Sequence, residues 1–466
     1  EGVMATLVGT PRSPVLTAVG IAPSGTSARG RRRPRPPAIT QGEGRPRSRG
    51  QAVLPRFRAS VARMASSATT GAPDYVLVLT IIGLLAFGLI MVYSASVVTA
   101  YTTYRNQYFF LMKQSFAAVL GLVAMAILAR IDYHRLRVVS VPGLVASVVL
   151  LAIVLVPGLG TQAYGAQRWI SLPGFQLQPS EFAKVALAIY MAHWLSTKRE
   201  EIQHVAYGLV PFTVLLGIIV GLLMKQPDMG TTSVIVAMAF AIFFAAGAHI
   251  GQMLGLVGLA VAIAVPLIQH APYRMERIIA FMDPWARPAA TSYHVVQSLL
   301  AFGAGGITGV GLGVGRQKFM YLPFPHTDSI FAVIGEELGL LGTVSLVIAF
   351  MVFAYRGMRV AWYAPDQFGR LLAVGVTSGI TFQALINMAV LTSSVPFTGI
   401  TLPLISYGGS SLLTTLAACG ILIIVSRHAS FPQSHTSTGG HLRWWHRRPH
   451  LSRSRSRQRA TAATST

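Results

Sequence analysis

About ten apolar runs, near 76–97, 114–130, 139–156, 181–196, 207–223, 231–247, 252–270, 330–355, 369–392 and 404–426, dictate what this chain can become. A helix needs about 20 residues to cross the hydrocarbon core of a bilayer. Inside that core only structures that satisfy their own backbone hydrogen bonds survive. The expected fold is therefore an all-α polytopic membrane protein with about ten transmembrane helices. Composition points the same way, with 11% charged residues against about 25% in soluble domains. The first run is expected to double as an uncleaved signal anchor, because no apolar stretch of signal-peptide length precedes it.

Most of the +24 net charge resides in two Arg-rich tails, which include Arg31–Arg33 and Arg453–Arg457. Their Pro, Gly, Ser and Arg content cannot pack a core, so 1–73 and 429–466 read as disordered basic cytoplasmic tails around a membrane domain at 74–428. No nucleic-acid-binding fold accompanies either tail, so the expected contact is anionic lipid rather than nucleic acid. Basic residues also mark one side of the spans: Arg130 to Arg137, Lys198, Arg199, Arg356, Arg359 and Arg427. The positive-inside rule puts that side, and both termini, in the cytoplasm. The other side then receives the segments 157–180, 224–230, 271–329 and 393–403. The third is one long extracytoplasmic loop, with apolar patches at 295–302 and 307–314 that can dip back into the membrane.

The chain has only 14 acids, so an acid beside hydrocarbon is informative. The segment Tyr321 to Gly339 places His326, Asp328, Glu336 and Glu337 at the mouth of an apolar run. Asp328 is the leading catalytic candidate. Glu336 and Glu337 lie about 12 Å deeper along a helix, where pairing with Lys or Arg inside the bundle is expected. His326 reads equally as a structural residue or as a neighbour of the site.

The other polar positions on this side each carry two readings. Glu181 and Lys184 share a helix face three residues apart and form either a structural ion pair or a substrate contact. Ser180 reads as the cap of that helix. Trp169 is either an interfacial aromatic or, with Arg168, a sugar or headgroup contact. Asp228, with Lys225 before it, sits at a broken helix end and reads as a helix cap or a binding residue. Arg274 and Arg277 form a cationic pair suited to phosphate or to headgroups. Lys318 is a further cation. Ser410 can donate to a ligand or satisfy the backbone of a Gly-rich helix start.

The glycines at 303–315 lack the spacing and strand context of a nucleotide-binding loop, and flexible or closely packed re-entrant backbone is the expected use. No nucleophile elbow or Cys/His metal pattern is present. The single Cys419 reads as a buried thiol.

Taken together, Arg168-Trp169, Gln178-Pro-Ser-Glu181, Lys225-Gln-Pro-Asp228, Tyr321-Leu-Pro with His326-Thr-Asp328 and Glu336-Glu337, and Leu402-Pro with Ser406-Tyr-Gly-Gly-Ser-Ser411 closely resemble the SEDS family of FtsW, RodA and SpoVE, over residues 74–428. Gly311 to Pro323 looks more like the division branch, FtsW. The resemblance implies a peptidoglycan glycosyltransferase of the bacterial plasma membrane that polymerises lipid II from the extracytoplasmic side. It also implies a class B penicillin-binding protein and other divisome proteins as partners. It makes Asp328 the essential acid and aligns Arg168, Trp169, Glu181, Lys225 and Asp228 with family positions. Two departures stand out: Phe324 where members commonly carry Glu, and Ser329 where Phe is usual.

The chemistry requires a sugar hydroxyl to displace a lipid pyrophosphate from C1 of another sugar. Asp328 is expected to act as general base, with Arg168, Lys225, Arg274, Arg277 and Lys318 as the supply of cations for the pyrophosphate. No cofactor is required by the sequence, and a divalent cation such as Mg or Mn on Asp328 is compatible with it. The competing class is a lipid II flippase, which should show comparable polar sites on both sides or repeated halves.

Overall fold

The computed structural model describes residues 71–431, apart from 159, 164–165, 173–174, 199–200, 287–291 and 320. Nearly all of both predicted tails lies outside the described residues. The described chain is helical almost throughout. Its α-helices run α1 Tyr75–Tyr104, α2 Phe109–Leu128, α3 Leu136–Val154, α4 Pro179–Thr197, α5 Val210–Lys225 and α6 Met229–Ala245. They continue with α7 Ile250–Gln269, α8 Pro272–Met282, α9 Tyr293–Gly305, α10 Ile330–Trp362, α11 Gln367–Leu391 and α12 Gly409–His428.

Every apolar run read from the sequence coincides with a helix. Eight are long and apolar enough to cross a membrane. The other two are α6, which is 17 residues long, and α4, which buries Glu181 and Lys184. This is a multi-pass membrane protein. Its most enclosed helices are α11 and α12, whereas α7 is mostly exposed, as a lipid-facing helix should be.

The structure corrects the sequence reading in three places. Three short strands, β1 Thr161–Ala163, β2 Ala166–Leu172 and β3 Phe175–Leu177, form an antiparallel meander where the sequence reading has a loop. The long segment 271–329 contains α8 and α9. The last helix starts at Gly409, so residues 404–408 belong to the loop before it. Apolar composition alone cannot separate a buried loop from a helix end.

One break inside a helix shapes the site. At Gly339 the α10 backbone leaves helical geometry (φ 65, ψ −160). Polar backbone freed within a membrane must find partners, and the Gly-rich stretch after α9 supplies them. Val310 and Gly311 donate to the Glu336 and Glu337 carbonyls at 3.0 Å each, while Leu340 and Leu341 donate to Gly306 and Ile307 at 2.9 and 3.1 Å. A Cβ on Gly339 would lie 2.4 Å from the Gly309 nitrogen. The glycines therefore serve close backbone packing.

At the end of the bundle opposite the Asp328 turn, basic residues meet acids. Asp74 caps α1 through the Leu77 N–H and binds Arg356 of α10 at 2.6 Å. Asp366 caps α11 through the Gly369 N–H, accepts from the Tyr133 hydroxyl and pairs with Arg137 at 3.0 Å.

Candidate active site

The loops predicted to share one side do converge at one end of the bundle. Arg168 of β2 reaches the α5–α6 turn, donating through Nε to Gln226 O at 3.1 Å and through Nη2 to Pro227 O. Gln178 N donates to the Ser410 hydroxyl at 3.3 Å. Arg277 of α8 donates to Phe397 O at 3.1 Å, and Tyr407 N to His326 O at 2.8 Å.

Asp328 lies on the turn that leads into α10, with Ser329 as the helix N-cap. Its side chain is half-buried. Thr327 donates its hydroxyl to Oδ1 at 3.0 Å, and Asn387 of α11 donates to the Asp328 carbonyl at 2.8 Å. Burial pushes the carboxyl up to about 6, against the opposing pull of the Thr327 hydroxyl, the Asp328 and Ser329 backbone N–H groups and the Arg277 charge. A carboxylate with a raised pKa is a better proton acceptor than an ordinary aspartate.

Two histidines flank this turn. His326 is buried between Phe110 and Tyr407, with ring centroids 4.3 and 5.6 Å away. Burial holds it down at about 4, so it is neutral. Its Nδ1 has no hydrogen-bond partner among the described residues. His294, at the start of α9, approaches the Ser329 hydroxyl at 2.8 Å.

A cavity of about 80 Å³ opens beside this turn and collects Arg168, Trp169, Glu181, Lys184 and Asp228, with Gln178 and Gln383. Glu181 and Lys184 are paired at 2.9 Å, and Lys184 also donates to Gln383. Asp228 caps α6 through the Thr231 N–H at 3.1 Å, while its other oxygen is buried without a hydrogen-bond partner among the described residues. Gly399 also lines the cavity. A Cβ built on it would sit 3.4 Å from Asp328 Oδ2, and its φ is +65. The two groups of predicted residues thus meet across this one glycine.

Other predicted residues are placed elsewhere. Lys318 is not an open cation: at 1% side-chain exposure it pairs with Glu337 at 2.7 Å and donates to Gly313 O at 2.8 Å. Ser94 completes that knot, donating to Glu337 at 2.6 Å. Glu336 accepts from the backbone of Arg316 and Gln317, at 2.6 and 3.1 Å. Ser410 is fully buried, with its hydroxyl engaged by Gln178 N. The cap of α4 is Gln178 rather than Ser180. Arg274 is buried and turns to Leu267 O at 2.8 Å. Lys225 is exposed at the end of α5.

Three amides in apolar helices hold the 400–408 loop. Asn387 donates to Ile400 O at 2.7 Å, and Gln383 to Thr401 O at 3.0 Å. Gln114 donates to Ser406 O at 3.0 Å and accepts from Gly408 N at 3.2 Å. The available signal was a polar amide inside a membrane helix, which implies an interhelical partner. Among the described residues no three His, Cys, Asp or Glu side chains gather as metal ligands.

The family model for cell cycle proteins of the FtsW, RodA and SpoVE type matches residues 75–431. A relative from Geobacter metallireducens, named "Probable peptidoglycan glycosyltransferase FtsW", is 45% identical over 353 residues, covering 76% of this chain and 94% of its own. Stage V sporulation protein E of Bacillus subtilis is 43% identical over 364 residues, covering 77% of this chain and 98% of its own. Among solved structures, a chain of a peptidoglycan synthase complex described as coordinating polymerization and crosslinking superposes with a TM-score of 0.64. It shares 31% identity, covering 76% of this chain and 98% of that one. Thermus thermophilus RodA, the rod shape determining protein, gives 0.58 at 30% identity over 78% of this chain and 99% of its own. This chain belongs to the FtsW, RodA and SpoVE family.

Proposed function

We propose that this protein is a peptidoglycan glycosyltransferase that polymerises lipid II at the outer face of the bacterial plasma membrane. The observation that carries the proposal is the half-buried Asp328 carboxyl on the turn into α10, beside the cavity that Arg168, Trp169, Glu181 and Asp228 line and within reach of the Arg277 charge. In the reaction the hydroxyl oxygen of one sugar attacks C1 of another. The C1–O bond to the lipid pyrophosphate breaks with inversion, and the hydroxyl proton passes to Asp328. Most Asp328 is ionised at pH 7.5 yet basic enough to accept that proton.

Arg277 is the cation best placed to meet the developing pyrophosphate charge. The cavity beside Gly399 suits a polar part of the substrate, with the unpartnered Asp228 oxygen as an acceptor. Lys318 drops out of the cation supply. A divalent ion would be held by Asp328 together with the pyrophosphate oxygens themselves, and no step above depends on one. A class B penicillin-binding protein and further divisome proteins are the partners we assign, with both termini cytoplasmic. The flippase reading has no matching observation: the described acids Asp74 and Asp366 at the opposite end are paired with Arg356 and Arg137.

The deciding experiment is lipid II polymerisation by the purified protein, with and without the transpeptidase, comparing wild type with Asp328→Asn. A wild-type rate for the variant would remove Asp328 as the base.

A further inference from the structure

His294 has a settled tautomer. Its Nε2 lies 2.8 Å from the Ser329 hydroxyl, and that hydroxyl gives its single proton to Pro323 O at 2.7 Å. Nε2 must therefore be the donor, which leaves Nδ1 bare. Nδ1 is buried with no hydrogen-bond partner among the described residues, and the ring rests on Phe397 with centroids 4.1 Å apart. Burial and the nearby Arg277 charge hold the imidazole down at about 4, so it is neutral. A buried polar atom left without a partner is costly. The hydrogen bond through Nε2 is what that arrangement retains.

The turn gripped by His294 is the one that carries Asp328. The Ser329 hydroxyl closes a ring back to Pro323. Inside the ring, Phe324 O accepts from Thr327 N at 3.1 Å and Ser329 N at 3.4 Å. Phe324 itself sits at φ +49, a strained setting for a bulky residue that persists only when its surroundings enforce it. The backbone N–H of Ser329 also faces the Asp328 carboxyl. Moving Ser329 would therefore move a donor on the proposed base.

We propose that His294 is a positioning residue for Asp328, acting through the Nε2–H···Ser329 hydroxyl···Pro323 carbonyl chain that fixes the 323–329 turn. Its role runs through the Ser329 hydroxyl, not through the reacting atoms. The proposal rests on the reading of Asp328 as base. It also gives the Ser329 hydroxyl a role: bridged to His294 of α9, it holds the turn.

The test uses the purified full chain and lipid II, with thermal stability measured for every variant. His294→Ala and Ser329→Ala should each lower kcat about tenfold, since small misplacements of a catalytic group are expensive, while KM stays within about twofold. The double variant should be no slower than the worse single one, because both break the same chain. His294→Gln, which keeps an N–H donor at the ε position, should recover to within about threefold of wild type. The inference fails if the two losses multiply, if the loss lies in KM, if His294→Gln is as slow as His294→Ala, or if the single variants match wild type. Asp328→Asn, run in parallel, separates the two levels. If it is active, the reading of the base fails. If it is inactive while the His294 and Ser329 variants are unimpaired, this inference alone fails.

Discussion

Asp132, Asp74 and Asp366 at one end of the bundle and Asp328 at the other are held in opposite ways. At the end near the chain's basic loops, Asp132 sits at a turn where burial raises its pKa, but the His134 hydrogen bonds and charge outweigh that and bring it down. Asp74 and Asp366 there combine a helix cap with an Arg partner. At the other end, burial raises the pKa of Asp328 despite the opposing pull of a hydroxyl, backbone N–H groups and the Arg277 charge. The difference teaches how to tell structural acids from chemical ones. A paired, capping carboxylate stabilises the fold, whereas a raised, half-open one costs stability and is available for proton transfer.

The sharpest way to break the contrast is to neutralise one acid at each end. Asp328→Asn should lose about 10²–10⁴-fold in polymerisation while keeping or raising Tm, because a buried charge is removed. A Tm drop without loss of rate would invert the comparison. Next in size is Lys318→Met, which leaves Glu337 buried and unpaired, at a cost of about 3–5 kcal/mol. A double change to Lys318→Met and Glu337→Met should regain much of that in a thermal melt, and failure to do so would dissolve the assigned pair.

pH offers a third test. Since Asp328 must be ionised to act, kcat should fall about tenfold per unit below about pH 6. The stability sign is the reverse. A carboxyl raised in the folded state contributes stability that is full below its ordinary pKa near 4 and is lost as pH rises through about 6. Wild type should therefore gain Tm relative to Asp328→Asn between pH 7 and pH 5, and a flat difference would remove the raised pKa. His326, held down at about 4, acts in the opposite sense: its contribution is present above its ordinary pKa of 6.5 and lost toward pH 4.

At the paired end, Asp366→Asn should cost about 1–2 kcal/mol through its cap and its hydrogen bonds, with the polymerisation rate intact. The smallest effect is expected for exposed Lys225→Ala, within about 0.5 kcal/mol in stability. A KM rise of a few fold would keep Lys225 at the substrate, and an unchanged KM would remove it.

Much of this was legible in the sequence because membrane helices advertise themselves by length, and acids beside hydrocarbon are rare enough to name. The Glu181–Lys184 pair and the Asp228 cap followed from local spacing. The fate of Lys318 did not, since its partners Ser94 and Glu337 lie 224 and 19 residues away and no periodicity encodes such a meeting. The β-meander was equally hidden, because its strands of three to seven residues are too short for alternation to stand out. The pairing of Gln383 with the Thr401 carbonyl depends on where a loop folds back, which only tertiary packing decides.

The break at Gly339 divides α10 into two pieces with different allegiances. The upper piece is laced by backbone bonds to the stretch after α9, and by Glu336 and Glu337 to residues 316–318. Mechanically it belongs to those segments rather than to the lower half of its own helix. A pull on those segments is thus delivered to the turn bearing Asp328 before it reaches the rest of the bundle, as a splinted joint passes load around the fracture.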